Sequence, residues 1–311
     1  MLLGALASSI PDIDFVAAFW SDAATNLLAH RGFTHSILFG VIAIFLFALV
    51  SEHFHKQHKI GWKTWLLLFT AAIGSHLFID VMNSYGMGLF EPFSHARISF
   101  NTVYVADPFF SLWPAITFVA LLLLRPGDAR RGFWVRFALV LSGSYLFYCL
   151  LNKWEINRDT KKLLAAQHVS YTKYFTTPTP LNNWLWFVAA GDEKGFYTGY
   201  RSVFDSKDSM ELTFSARNDS LLAPFEKHEE LQKLLRFSNG FYTADRWGDT
   251  TVFNVLRFGQ VVGWHDPKER FVFHYYLGYP YEENKLVVQR GRFAGWNRET
   301  FESLLRRIRG N

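Results

Sequence analysis

Residues 30–50 read HRGFTHSILFGVIAIFLFALV, and the fold turns on how that string changes partway through. Two histidines and an arginine stand at its head, and from Ser36 to Val50 there is no charged residue. A run that is apolar all round, with no polar face, reads as a helix surrounded by hydrocarbon rather than a surface helix. A buried core helix is the alternative for one such run. Three more follow, however, at Trp62 to Met82, Ser111 to Leu124 and Phe133 to Leu151. The second and fourth reach the roughly twenty residues that cross a bilayer core, whereas the first and third draw on flanking residues such as Thr34, Ser51, Phe109 and Phe110. Residues 1–151 are therefore expected to form a polytopic membrane bundle of about four spans. The opening MLLGALASSIPDID has no basic n-region and too short an apolar stretch to be a signal peptide or a span. It reads as the tail of a longer helix, so an upstream segment completing a truncated first helix is expected.

The loops suggest an orientation. Glu52 to Gly61 carries Lys56 and Lys59, Arg125 to Gly132 carries Arg125, Arg130 and Arg131, and Lys63 and Arg136 flank them. Alternating spans put both loops on one face, which the positive-inside rule makes cytoplasmic. Pro11 to His35, Asn83 to Phe110 and everything after Leu151 then lie outside, as expected for a protein of a bacterial inner membrane. Lys153, Arg158, Lys161 and Lys162, directly after the last span, argue the other way. The net charge of +5 is spread over loops and the second half, which gives no support for nucleic-acid binding and leaves membrane lipid as the expected partner. One cysteine, Cys149, sits in an apolar run; it excludes an intramolecular disulfide framework and reads as a buried thiol.

Residues 152–311 have the texture of a soluble α+β domain. Asn157 to His168 reads as a polar helix that the Thr176 to Pro180 cluster breaks. Strands are expected at Trp184 to Ala190, Gly195 to Phe204, Thr251 to Phe258, Phe271 to Leu277 and Lys285 to Val288, where β-branched and aromatic residues lie between turn residues. Helices are expected at Glu226 to Arg236 and at Arg298 to Arg309, the latter capped by Asn297.

Three motifs carry chemistry. Pro11 ends the preceding helix and leaves Asp12 and Asp14 on an irregular segment at the membrane surface, a pair suited to a divalent cation or to capping a turn. His30 and His35 flank Gly32, and a turn there lets both imidazoles converge on one ion; Thr34 and Ser36 are placed to orient a ring. Arg31 is a forked cation suited to an anionic oxygen, or else a snorkelling residue at a helix end. His76 and Asp80, four apart, share one face of an apolar helix, where an ionisable pair is costly without a cavity, an ion or each other as partner. Alternation of the spans brings all three motifs to one end of the bundle. Asn83, Glu91, His95, Asn101 and Asp107 fall on the same side as supporting candidates, although Asp107 before Pro108 also reads as a helix start. His53, His55 and His58 fall on the opposite loop and read as solvated surface.

These residues resemble the YdjM-like family of membrane-bound metal-dependent hydrolases, with its Pro-Asp-x-Asp, His-Arg-Gly-x-Thr-His-Ser and His-x-x-x-Asp motifs. The likeness continues through Asn101 to Pro108 and Thr176 to Asn183. That family is distantly similar to the zinc-dependent phospholipase C and single-strand nuclease group. The resemblance implies a metal site, with zinc as the expected ion in one or two copies, drawing on Asp12 or Asp14, one of His30 and His35, and His76 and Asp80. It also implies a Thr-His or Thr-Gln element in a helix upstream of Met1. The expected activity is hydrolysis of a phosphoester or lipid-linked substrate at the membrane surface, with Asp12 or Asp14 as general base and Arg31 stabilising negative charge. A metal-binding membrane scaffold or transporter without hydrolytic activity is the alternative. Clustering of the ionisable residues at one end, instead of through the bilayer depth, weighs against transport. An independent enzyme in the second half has neither a nucleophile elbow nor a phosphate loop to support it.

Overall fold

The computed structural model describes residues 2–279, 283–285 and 295–310. Three of its helices are long and apolar enough to cross a membrane: α3 (Ile37–Phe54), α4 (Trp62–Met82) and α6 (Arg130–Ala166). Before them come α1 (Leu2–Ser9), a 3-10 segment Pro11–Phe19 bent by 56° from α1, and α2 (Ala23–Ala29). The bend falls at Pro11, which has no N–H to continue the helix. Alanines at 7, 43 and 48 let α1 and α3 approach α4, burying Trp65, Phe69 and Ile73.

The expected span at Ser111 to Leu124 is α5 (Pro108–Leu123), sixteen residues long and antiparallel partner to α6. At 1.5 Å per residue it reaches roughly 24 Å, short of a hydrocarbon core. By contrast α6 runs for 37 residues without interruption. The polar helix expected from Asn157 is its continuation, so position 152, where composition changes, lies inside a single helix. Asn152 and Lys153 do not end it because their side chains bond outward: Asn152 donates to the Asn183 carbonyl at 2.9 Å, and Lys153 to the carbonyls of Asn101 and Thr176. Cys149 is buried in the same helix.

The C-terminal half holds two antiparallel sheets. One is ordered β1 (Lys173–Pro178), β2 (Leu185–Gly191), β3 (Gly195–Ser202) and β4 (Leu212–Ala216); the other is β5 (Tyr242–Trp247), β6 (Thr250–Gln260) and β7 (Phe271–Tyr276). The Thr-Pro cluster read as a breaker is the end of β1, an edge strand where Pro178 needs no ladder partner on its open side. β4 and β5, of five and six residues, were not expected, although Leu-Thr-Phe-Ser-Ala and Tyr-Thr-Ala-Asp alternate apolar and polar residues. Helix α7 (Glu229–Ser238) begins three residues later than its sequence signal, and the last helix, Arg298–Ile308, has Asn297 and Thr300 in a reciprocal capping box. Of the strand expected at Lys285 to Val288, residues 286–288 lie outside the described residues, and Lys285 closes a short helical turn.

Phe175, Phe187, Phe196, Leu256 and Phe271 fill the space between the sheets. The largest core is shared by both halves of the chain: Ala23, Ala24 and Leu27 of α2 and Tyr85 pack with Leu231, Leu234 and Phe237 of α7 and with Phe253, Phe273 and Tyr275. The segment that carries the second motif therefore folds against the C-terminal half.

Candidate metal centre

Three short pieces of chain meet at the end of α4. His76 and Asp80 lie one helical turn apart on its final turns. Opposite them, Asp22 caps α2 through the Thr25 N–H, and α2 ends at His30. The sequence placed the following turn at Gly32; the left-handed residue is instead Arg31, with φ of 57°. That conformation is costly for a residue with a Cβ and persists where the surroundings enforce it. Here the Arg31 N–H donates to Asp14 Oδ2 at 2.7 Å. Gly32 serves close approach, because a Cβ there would lie 2.9 Å from the carbonyl oxygens of both Leu28 and Ala29. The 3-10 turn Phe33–His35 then delivers His35, and Ser36 caps α3 by accepting from the Phe39 N–H.

Four donor atoms converge. His35 Nε2 is 3.4 Å from Asp12 Oδ1, 3.2 Å from Asp80 Oδ2 and 3.4 Å from His76 Nε2, while His76 Nε2 is 3.7 Å from Asp12 Oδ1 and 3.4 Å from Asp80 Oδ2. All four atoms lie within 4.8 Å of one another. Zinc–nitrogen and zinc–oxygen bonds of about 2.0–2.1 Å in a tetrahedron place ligand atoms roughly 3.3 Å apart, close to the 3.2–3.7 Å of the separations that involve His35 and His76. Asp80 Oδ2 is buried and makes no hydrogen bond among the described residues, although two imidazole nitrogens stand near it. The atoms thus point toward a shared centre rather than at one another. A two-histidine, two-carboxylate set with a buried unpartnered oxygen fits a borderline divalent cation.

Asp14 and His30 stand behind this set. Asp14 Oδ2 faces His35 Nδ1 at 3.2 Å and accepts from the Thr34 hydroxyl at 3.2 Å, and its Oδ1 is 3.1 Å from His30 Nδ1. A carboxylate on the far nitrogen of a ligating imidazole fixes the ring's tautomer and aim. Burial disfavours charge on the His35 ring, but the carboxylates of Asp12, Asp14 and Asp80 around it more than reverse this and push its pKa up to about 10. Arg31 reaches Asp80 Oδ1 at 3.0 Å through Nη2 and Asn83 Oδ1 at 2.7 Å through Nη1. Its guanidinium is therefore engaged behind Asp80. Asp12 is the open side of the cluster, with 52% of its side chain exposed against none for His35.

The remaining candidates sit elsewhere. Asp107 caps α5 and accepts from the Tyr145 hydroxyl at 2.8 Å. Glu91 pairs with His95 and with Arg236 of α7. Asn101 accepts from Ser99, and the His53 to His58 group belongs to the turn after α3.

Sequence reasoning missed the outer frame. The guanidiniums of Arg31 and Arg97 lie 5.5 and 5.4 Å from the centre of the Tyr85 ring, which meets His30 edge-on. Buried Arg97 donates to the carbonyls of Leu28, His30 and Gly86, and Arg257 of β6 to those of Ser84, Tyr85 and Phe237. Arginines whose partners are backbone carbonyls have no spacing signature that a sequence could reveal.

Known proteins place the chain. The sequence profile described as YdjM inner membrane protein matches residues 1–156, which hold every residue of the cluster. The uncharacterized protein YfhP of Bacillus subtilis is 28% identical over 212 residues, 62% of this chain and 55% of that relative. The inner membrane protein YbcI of Escherichia coli is 28% identical over 89 residues, 29% of this chain and 50% of that relative. The alignments thus span about half the length of these curated relatives. No solved structure matches. With its apolar helices and a family match over half its length, the chain is an integral membrane protein and belongs to the YdjM inner membrane protein family.

Proposed function

We propose that this protein is a membrane-bound, metal-dependent hydrolase acting on a phosphoester at the membrane surface, with the site and the C-terminal domain on the extracytoplasmic side. The observation that carries the reading is the convergence of donor atoms of Asp12, His35, His76 and Asp80 within 4.8 Å of one another, with Asp80 Oδ2 making no hydrogen bond and Asp12 open to solvent. A divalent ion held there, zinc by the character of its donors, would supply a Lewis acid and lower the pKa of a water molecule. Asp12 is the residue placed to take that water's proton, since its carboxylate is at once beside the cluster and accessible. The water oxygen forms the new bond to phosphorus, the ester P–O bond breaks, and the proton passes from Asp12 to the departing oxygen. Asp14 holds His35 in one tautomer, and Arg31 holds Asp80 in place. The basic loops around Lys56 and Arg130 support a cytoplasmic assignment for the other face.

One feature favours a second reading, a scaffold without hydrolytic activity: four protein donors make a closed set, as in structural zinc sites. Replacing Asp12 by asparagine separates the two. If Asp12 is the base, His35, His76 and Asp80 would hold the ion and leave the fourth position to water, so Asp12→Asn keeps its metal by elemental analysis and loses about 100-fold or more in hydrolysis of a nitrophenyl phosphodiester. As a permanent ligand of a structural site, it loses the metal instead.

A further inference from the structure

A cavity of about 140 Å³ adjoins the cluster, and Asp80 is part of its wall. It lies between the end of α4, the loop and first turn of α5, and α6; Asp80, Asn83, Asp107 and Ser111 are polar parts of its wall, and Met82, Val103, Phe110 and Leu146 apolar ones. The helices group as α1, α3 and α4 on one side and α5 with α6 on the other, and the cavity occupies the cleft between them. Its rim includes Ile79 of α4 and Val105 before α5, 41% and 37% exposed. Ile79 and Val105 thus put exposed apolar surface beside the cavity, at the end of α4 where its membrane-crossing segment finishes.

This arrangement restricts what can enter. A hydrated polar group pushed among Met82, Val103, Phe110 and Leu146 would lose water and find Asp107 already taken by the N–H groups of Phe109 and Phe110 and by the Tyr145 hydroxyl, whereas a hydrocarbon chain would be matched to those apolar walls. Of the polar parts, Asp80 and Asn83 belong to the metal cluster and its Arg31 support. A ligand filling the cavity thus has an apolar arm among the helices and its polar end at the cluster, and exposed Ile79 marks a side on which apolar helix surface adjoins it.

We propose that the substrate is an amphiphile, a phosphate ester bearing a hydrocarbon chain, whose chain occupies this cavity while the ester meets the metal centre. The inference rests on the hydrolase reading above and deepens it by naming the substrate class. The test uses the full chain in phosphatidylcholine nanodiscs loaded with cobalt(II), whose visible absorption reports on the donor set, and titrates in methylphosphonate and octylphosphonate. Each buried methylene is worth about fourfold in affinity, so octylphosphonate shifts the spectrum at concentrations at least roughly tenfold lower than methylphosphonate. Leu146→Trp, which fills the cavity, and Ile79→Trp, at its exposed rim, keep the cobalt spectrum and the methylphosphonate response but lose that advantage. Partitioning into the nanodisc is common to all three proteins and cancels. Equal responses to the two phosphonates, or an octyl advantage that survives both tryptophans, overturns the proposal. A sample that gives no cobalt spectrum overturns the metal centre itself and, with it, this inference; the spectrum before any phosphonate is added tells the two failures apart.

Discussion

His76→Ala is the perturbation that separates an ion site from a cluster of side chains that merely pair. His76 Nε2 approaches Asp80, His35 and Asp12 at 3.4 to 3.7 Å, and the described residues give it no other polar partner. Its removal leaves Arg31 on Asp80 and Asp14 on His35, so the ion-free protein keeps its frame. With free zinc at about 100 times the dissociation constant, the wild type gains roughly 2.7 kcal/mol by mass action. For a chain of 311 residues that raises the unfolding midpoint by roughly 4 °C. Removing a donor weakens binding at least as much as the largest loss from disturbing an outer partner, about 100-fold. At the same free zinc the variant's sites are then at most about half filled, the gain falls to roughly 0.4 kcal/mol or less, and the midpoint moves by about 1 °C or less. The assay is tryptophan-fluorescence melting of chelator-stripped protein in detergent at buffered free zinc, with bound zinc measured by elemental analysis. A wild-type midpoint unmoved by zinc, cobalt or manganese, or a variant that responds as the wild type does, refutes the assignment.

Two further outcomes follow from the same geometry. Asp14→Asn removes no donor atom from the cluster but deprives the His35 ring of its anionic partner, so zinc affinity falls by about 10- to 100-fold in the same titration while the site still fills at higher zinc; failure to fill would make Asp14 a ligand. Metal binding at pH 8 releases about one proton, because His35, raised to about 10 in the ion-free protein, still carries the proton that an ion at Nε2 must displace. Calorimetry in buffers of different ionisation enthalpy counts it, and a count near zero contradicts the assignment of His35. The sign of the linked stability is fixed by the upward shift. The protonated ring's contribution to the ion-free fold is complete below the unfolded value near 6.5 and is lost as pH rises through about 10.

The membrane helices and the three motifs were legible because each rests on a pattern that needs no tertiary information. A charge-free run announces hydrocarbon, and a histidine and an aspartate four apart in such a run must face something other than lipid. Which of Asp12 and Asp14 touches the cluster was not legible. Both lie on a 3-10 segment whose direction is set by the 56° bend at Pro11 and by the Arg31 N–H, neither of which follows from spacing. The role expected for Arg31 met the same limit: its partners, Asp80 and Asn83, lie about fifty residues away in sequence. The continuity of α6 was hidden because polarity at Asn152 and Lys153 resembles an ending, and only their burial against Asn183, Asn101 and Thr176 explains why the helix goes on.

The shared core also gives the C-terminal half a physical role. Phe237 of α7 and Phe258 of β6 pack on Tyr85, whose ring in turn lies near the guanidiniums of Arg31 and Arg97 and against His30. Arg257 of β6 secures the backbone at Ser84 and Tyr85, one and two residues beyond Asn83. Burying a guanidinium against carbonyls alone is costly, and Arg257 and Arg97 both do so around one tyrosine. Such a frame persists only if several packed surfaces hold it together, and here those surfaces come from both halves of the chain. A strained Arg31 with φ of 57° has to be held in place from outside as well as by Asp14. The aromatic cluster of α7 and β6 supplies that outer wall, so the aim of Arg31 at Asp80, and with it the position of a donor oxygen, depends on residues more than 150 positions further along the chain.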